Sequence, residues 1–200
     1  MTAPQPAPDP LTAARERLQK TPGDARTLVE LAELYFLSRD YLRARQYLAL
    51  AEQVSARAPG AGAGTEIDRE KMFQLGLLIA VHGEQYSVAI KRCQERLMRK
   101  PADSRVRSLL ASLHEALGDE LAAEKQLRLL LLMHPEQSAF LVDLARFYER
   151  GSRADKKEQA HRLYHRYLDV APQGALAPQV RAALLAQQVD ESPAPTPAFP

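Results

Sequence analysis

From about residue 11 to residue 189, apolar side chains recur at three- and four-residue intervals, the spacing that gathers them on one face of a helix. Leu28, Leu31, Ala32 and Tyr35 fall at i, i+3, i+4 and i+7, and Tyr41, Ala44, Leu48 and Ala51 repeat the spacing immediately afterwards. Ser38-Arg39-Asp40 lies between the two sets, and so short a polar turn makes the two helices antiparallel neighbours. The same pattern then returns along the chain. Leu31-Ala32, Leu75-Gly76, Leu110-Ala111 and Leu144-Ala145 are separated by 44, 35 and 34 residues, and Ala44, Ala89, Ala123 and Ala160 by 45, 34 and 37. Pro22, Pro101, Pro135 and Pro172 each close a helical segment. A recurrence of this length is expected of helix-turn-helix units that cannot bury their apolar faces singly and so stack into an elongated all-α solenoid, a shape suited to holding partners.

Four copies of one residue pattern follow. The first comprises Leu28, Leu31, Ala32, Tyr35, Ala44, Leu48 and Ala51, and the second Met72, Leu75, Gly76, Ile79, Gly83, Tyr86, Ala89, Cys93 and Pro101. The third comprises Leu110, Ala111, Gly118, Asp119, Ala123, Leu127 and Pro135, and the fourth Leu141, Leu144, Ala145, Tyr148, Ala160, Tyr164 and Pro172. On these residues the chain resembles the tetratricopeptide repeat (TPR) family. The resemblance implies a right-handed superhelical solenoid of antiparallel helix pairs, with repeats over about 25–58, 69–101, 104–135 and 138–172. A half-repeat over Leu11 to Lys20 precedes them, and a capping helix over about 178–189 would cover the last repeat with Val180, Leu184 and Leu185.

The departures from the pattern are informative. Arg107 and His114 stand where the family prefers apolar or aromatic residues, so the first helix of the third repeat is expected to pack loosely or to be partly exposed. Ala56 to Thr65 inserts a Gly- and Pro-containing loop after the first repeat, and extra residues around Arg150 to Lys156 lengthen the turn of the fourth. Residues 1–10 and 190–200 are Pro-rich and have little to bury, so both are expected to be disordered tails.

Composition narrows the class further. The chain has 200 residues, 46% hydrophobic and 26% charged, with 6% aromatic and no Trp, so Leu and Ala must carry the burial. A formal charge of +2 supplies no global field to draw in nucleic acid or anionic lipid. The single cysteine, Cys93, excludes an internal disulfide, and its core position suits a small buried apolar residue. The start of the chain has neither the basic nor the apolar region of a signal peptide, and no run is long enough to span a membrane, so the expectation is a cytoplasmic protein, and the Ala, Arg, Pro and Leu bias suggests a bacterial one.

In TPR proteins the first helix of each pair lines the concave surface where an extended peptide or a helix usually binds. Carrying those positions over gives Val29, Glu33 and Phe36, then Phe73, Leu77 and Val81, then Arg105 and Ser112, and finally Val142, Arg146 and Arg150. The first half of such a groove would be apolar and the second cationic, which suits an amphipathic ligand with an acidic end. The co-chaperone subtype that clamps a C-terminal carboxylate uses Lys and Asn at the positions held here by Val29 and Glu33, so that specificity is not expected.

Other chemistry-bearing residues give weaker signals. Gly60 to Gly64 follows a helix rather than a strand and has no Gly-Lys-Ser/Thr, so it reads as a loop and not a phosphate cradle. His161 and His165 are spaced for chelation, but Arg162 and Arg166 interleave with them and favour a solvated face. The cations from Lys91 to Arg107 form one dense cluster without interleaved aromatics, so a stacking platform for single strands is absent. No nucleophile set, acid pair or cofactor fingerprint is present, so no catalytic site, cofactor or metal is expected. The expectation is a non-catalytic protein–protein interaction scaffold or adaptor, with possible homo-oligomerisation. The alternatives are a substrate-holding chaperone for secreted or pilus-type subunits, and a nucleic-acid or anionic-surface binder acting through the basic cluster.

Overall fold

The computed structural model describes residues 9–57, 66–151 and 154–190, with side chains over 9–57, 68–151 and 155–187. Among the described residues the chain forms ten α-helices and no strand. They are α1 (Pro10–Lys20), α2 (Ala25–Leu37), α3 (Tyr41–Arg57), α4 (Glu66–His82), α5 (Tyr86–Arg99), α6 (Ser104–Ala116), α7 (Glu120–Met133), α8 (Ala139–Arg150), α9 (Ala154–Val170) and α10 (Ala177–Asp190). Of the expected tails, residues 1–8 and 191–200 lie outside the described residues, while Pro10 opens α1 and Asp190 ends α10; the Gly60 to Gly64 motif, most of the 56–65 insertion, and Ser152 and Arg153 in the lengthened turn also lie outside them.

The chain divides into two compact units, Met1–Glu95 and Arg96–Pro200, with the division inside α5. In the first, α2 pairs with α3, α1 packs on α2 and α3 packs on α4, around a core that includes Ala14, Leu31, Tyr35, Leu48, Met72 and Ile79. In the second, α6 pairs with α7 and α8 with α9, while α7 packs on α8 and α10 on α9. Its core includes Leu130, Val142, Ala145, Tyr164, Tyr167 and Val180.

Aspartates start several of the helices. The side chains of Asp24, Asp103 and Asp119 accept the backbone N–H groups of Thr27, Val106 and Ala122, satisfying donors that a helix N-terminus would otherwise leave unmade. Three fully described hairpin turns share one geometry. The residues before Asp40, Gln85 and Asp119 are left-handed, with φ of 61° at Arg39, 56° at Glu84 and 74° at Gly118. In each turn the next N–H reaches back five residues, from Asp40 to Tyr35 O, Gln85 to Ala80 O and Asp119 to His114 O, as in a Schellman closure. Only one of the three uses glycine. Gly83, which the repeat pattern aligns with Gly118, sits one place before the left-handed residue; a Cβ there would lie 2.9 Å from Ile79 O.

Small residues set the distance between paired helices. Ala32, Ala44, Ala89, Ala123, Ala145 and Ala160 have no exposed surface. At Gly76 an added Cβ would stand 2.6 Å from the guanidinium of Arg92, which is bidentate on Glu52 of α3 at 2.7 and 3.2 Å. Here the missing side chain makes room for an ion pair rather than for a neighbouring backbone.

Two tyrosines are held alike. Arg15 donates to the Tyr35 hydroxyl, through Nε at 3.1 Å, and Arg128 donates to the Tyr148 hydroxyl through Nε and Nη2 at 3.2 and 3.0 Å; each arginine lies 20 residues earlier in the chain. A second cation lies over each ring from the third residue of the following helix, Arg43 at 5.6 Å and Lys156 at 4.3 Å from the centroids. α1 therefore stands to α2 as α7 stands to α8. Tyr148 also donates to Glu124 at 2.7 Å, and Lys156 and Arg128 pair with the same carboxylate. Burial pushes the Glu124 carboxyl up, but these partners outweigh it and leave the group below the usual carboxylate range.

Two packing expectations are corrected. α6 is partly exposed, at Arg105 and Ser112, but it is not loose: it buries Val106, Leu110, Ala111 and Leu113, while Arg107 donates to Gln126 and to the Pro101 carbonyl, and His114 lies 3.4 Å from the Asp119 carboxylate. The polar side chains find partners at the edge of the pair, so they do not prevent closure. On α10, Val180 and Leu184 are buried as a cap requires, whereas Leu185 is 63% exposed, because the helix turns it about 100° from Leu184.

Ala145→Leu should overfill the α8–α9 contact and cost about 1–3 kcal/mol of unfolding free energy, read as a lower urea midpoint. Ala49→Leu, on an exposed position of α3, should leave the midpoint within about 0.5 kcal/mol of wild type. Glu84→Gly should raise stability by about 0.5–1 kcal/mol, since relief of the left-handed strain exceeds the entropy that glycine adds to the unfolded chain. A lower midpoint for Glu84→Gly would contradict the turn geometry.

Candidate functional site

In the first unit, the candidate residues on α2 and α4 divide between core and surface. Val29 and Leu77 are buried, at 7% and 8% exposure, and belong to the packing rather than to an accessible face. Phe36 is half-buried with its ring 5.9 Å from Tyr41 and 5.5 Å from His82, so it fills the junction of α2, α3 and α4. Phe73 and Val81 are half-buried. Glu33 reaches across to Lys71 at 2.8 Å, tying α2 to α4. Two of the five residues of the expected apolar trough are thus interior and three half-buried; among the described residues, the large apolar side chains that α2 and α4 fully expose are Leu37 and Leu78.

In the second unit, Val142 has no exposed surface and is likewise a core residue. The remaining candidates form a polar face. Arg105 and Ser112 are exposed on α6. Arg150 of α8 is bidentate on Glu115 of α6, at 2.6 and 2.9 Å, and Arg146 donates to Gln179 of α10 at 2.7 Å. Asp143 lies one helical turn before Arg146, half-buried, on the same face. Burial pushes its carboxyl above the usual range, and the nearby Arg146 and Arg150 pull less strongly in the opposite direction. The face is therefore zwitterionic rather than cationic, since Glu115 and Asp143 stand among the arginines. Sequence reasoning did not single out Asp143; its signal was its i, i+3 and i, i+7 spacing from Arg146 and Arg150.

Such a face can recognise mixed chemistry. Arginines held by Glu115 and Gln179 present further N–H groups in fixed directions for a carboxylate or a backbone carbonyl. The Asp143 carboxylate has lost part of its hydration, so an N–H or a cation brought to it recovers an interaction water no longer supplies.

Other cations are engaged within the fold. Arg92 is on Glu52, Arg96 lies 3.3 Å from the Asp103 carboxylate, and Arg107 is on Gln126. On α7, a shallow cleft of about 340 Å³ is lined by Glu124, Lys125, Arg128, Leu129 and Leu132, and Leu121 and Leu132 are 83% and 76% exposed. The unbroken run Leu129 to Met133 carried that signal in the sequence.

The raised Asp143 carboxyl means that the folded protein binds this proton more tightly than the unfolded chain does. The ionised group therefore opposes folding at neutral pH, and that penalty fades as pH falls through the folded-state value. Asp143→Asn should raise the thermal midpoint at pH 7, with the gain shrinking on acidification; a gain independent of pH would exclude the burial effect.

No protein-family model matches the sequence, and no curated protein matches it. Among solved structures, the fold is similar to that of YrrB, described as a TPR protein with an unusual peptide-binding site: TM-score 0.57 at 16% identity, over 86% of this chain and 81% of that one. Two structures of MamA are similar at TM-score 0.58 and 12% identity, covering 82% and 94% of this chain and 87% of each of theirs. The chain has the tetratricopeptide-repeat fold.

Proposed function

We propose that the protein is a non-catalytic interaction scaffold that holds a peptide or amphipathic-helix segment of another protein across the first-helix face of its second unit. The observation that carries this reading is the strip Ser112, Glu115, Asp143, Arg146 and Arg150, in which Arg150 pairs with Glu115 of α6 and Arg146 bonds Gln179 of α10, so that both arginines are directed before any partner arrives. Preorganised groups lose little side-chain entropy on binding, so a strip of this kind favours recognition over mere solvation. The segment it fits carries an acceptor to meet Arg146 and a donor to meet Asp143. The description of YrrB, a protein of similar fold, as having an unusual peptide-binding site supports this reading.

A substrate-holding role rests on a different observation, the exposed leucines of α7 beside the Glu124 cleft. Leu121→Glu with Leu132→Glu would abolish suppression of client aggregation if that surface were used, and would leave peptide binding at α6 and α8 intact. The anionic-surface reading has less support, because Arg92, Arg96 and Arg107 are tied to acceptors in the fold.

Peptides selected from a random display library on the wild-type protein should lose at least about ten-fold in affinity for a folded Ser112→Arg, Arg146→Glu variant, equivalent to about 1.4 kcal/mol. Selected peptides that bind both proteins equally would remove the site from this face.

A further inference from the structure

On α9 the imidazoles of His161 and His165 converge one turn apart, with ring centroids 4.6 Å and Nε2 atoms 3.0 Å from each other. The other nitrogen of His161, Nδ1, lies 3.2 Å from Oε1 of Gln187 on α10. Gln187 Nε2 donates to Glu149 Oε1 at 3.1 Å, and Tyr164 donates to the second oxygen of that carboxylate at 2.8 Å. This chain fixes the protons. A carboxylate only accepts, so the amide nitrogen of Gln187 must face Glu149 and its carbonyl oxygen must face His161; His161 therefore carries its hydrogen on Nδ1. Its Nε2 presents a lone pair, and the 3.0 Å contact is a hydrogen bond donated by His165 Nε2–H.

We propose that His161 and His165 chelate a copper(II) ion through their two Nε2 atoms, at a site braced by Gln187 and Glu149. With metal–nitrogen bonds of about 2.0–2.1 Å, nitrogens 3.0 Å apart subtend about 94° at the metal, close to the right angle between adjacent positions of a square-planar or tetragonal ion and well short of a tetrahedral angle. The binding step is balanced within the pair. The aquo ion gives up two waters, the His165 proton moves from Nε2 to Nδ1, both rings remain neutral, and no electron is transferred. Water completes the coordination, with the exposed carboxylate of Asp169 one turn beyond His165.

His161 has the support a histidine ligand requires, since a ligating ring whose other N–H is held by an acceptor keeps its tautomer and orientation. The interleaved arginines do not block the site. Arg162 is directed to Glu158 at 3.4 Å, and each arginine projects about 100° round the helix from the histidine before it. Because Gln187 belongs to α10, copper at α9 and docking of α10 draw on the same His161 tautomer, so copper should also stabilise that helix contact by linkage.

The test is copper(II) titration of the full chain, followed by calorimetry and electron paramagnetic resonance. The expected spectrum shows two equatorial nitrogens, with copper favoured over zinc. His161→Ala and His165→Ala should each weaken copper at least about ten-fold, Gln187→Ala about ten-fold through the supporting bond, and His134→Ala, away from the pair, should change nothing. Copper binding unchanged in the His161→Ala, His165→Ala double variant, with circular dichroism confirming its fold, would overturn the proposal. So would a spectrum without imidazole nitrogen.

Discussion

The structure depends on how closely two short helices can approach. A helix of 13 to 17 residues, such as α2, α3 or α4, has a single apolar stripe, and most of its stability comes from covering that stripe rather than from intrinsic propensity. Ala32 and Ala44 at one hairpin, and Ala145 and Ala160 at another, are wholly buried because the facing helix lies directly against them. Leu31, Leu48, Leu130 and Tyr164 fill the spaces beside those contacts, all at 1% exposure or less. Without the small residues the large ones would have no common interior to enter.

The same closeness brings polar groups into register across helices. Arg92 reaches Glu52 over the bare backbone of Gly76, and the tyrosines at equivalent positions of α2 and α8 each meet one cation at the hydroxyl and another over the ring. On the first-helix faces the consequence is specific: Glu33 to Lys71 and Glu115 to Arg150 link successive first helices. Exposed ion pairs of this kind add little stability. Their effect is to fix direction, which turns the face of α6 and α8 into a patterned surface.

Much of this was legible from spacing. The i, i+3, i+4, i+7 runs located the helices, and the recurring Leu-Ala or Leu-Gly pairs located the hairpins, because burial selects for residue size and residue size is visible in a sequence. The turns were partly legible. Gly118 marks its left-handed position, but Arg39 and Glu84 adopt the same backbone without glycine, and Gly83 therefore aligned one residue away. The candidate face was legible as a set of positions and not as a surface. Arg105, Ser112, Arg146 and Arg150 are accessible or partly so, whereas Val29, Leu77 and Val142 at equivalent spacing are interior.

The amino-acid order by itself thus determined the class of fold, the helix pairs and the residues small enough to let them close, since each of these follows from periodicity and side-chain volume within one repeat. Only the tertiary structure decided which side of a helix meets a neighbour, and with it the fate of polar groups: that Asp143 loses water, that Glu115 neutralises Arg150, and that Gln187 of α10 sets the tautomer of His161. Those outcomes depend on groups 26 to 38 residues apart in the chain, as for His161 with Gln187 and Gln187 with Glu149. Charge and hydrogen bonding act over a few ångströms of space, and no local periodicity records which distant residue will fill it.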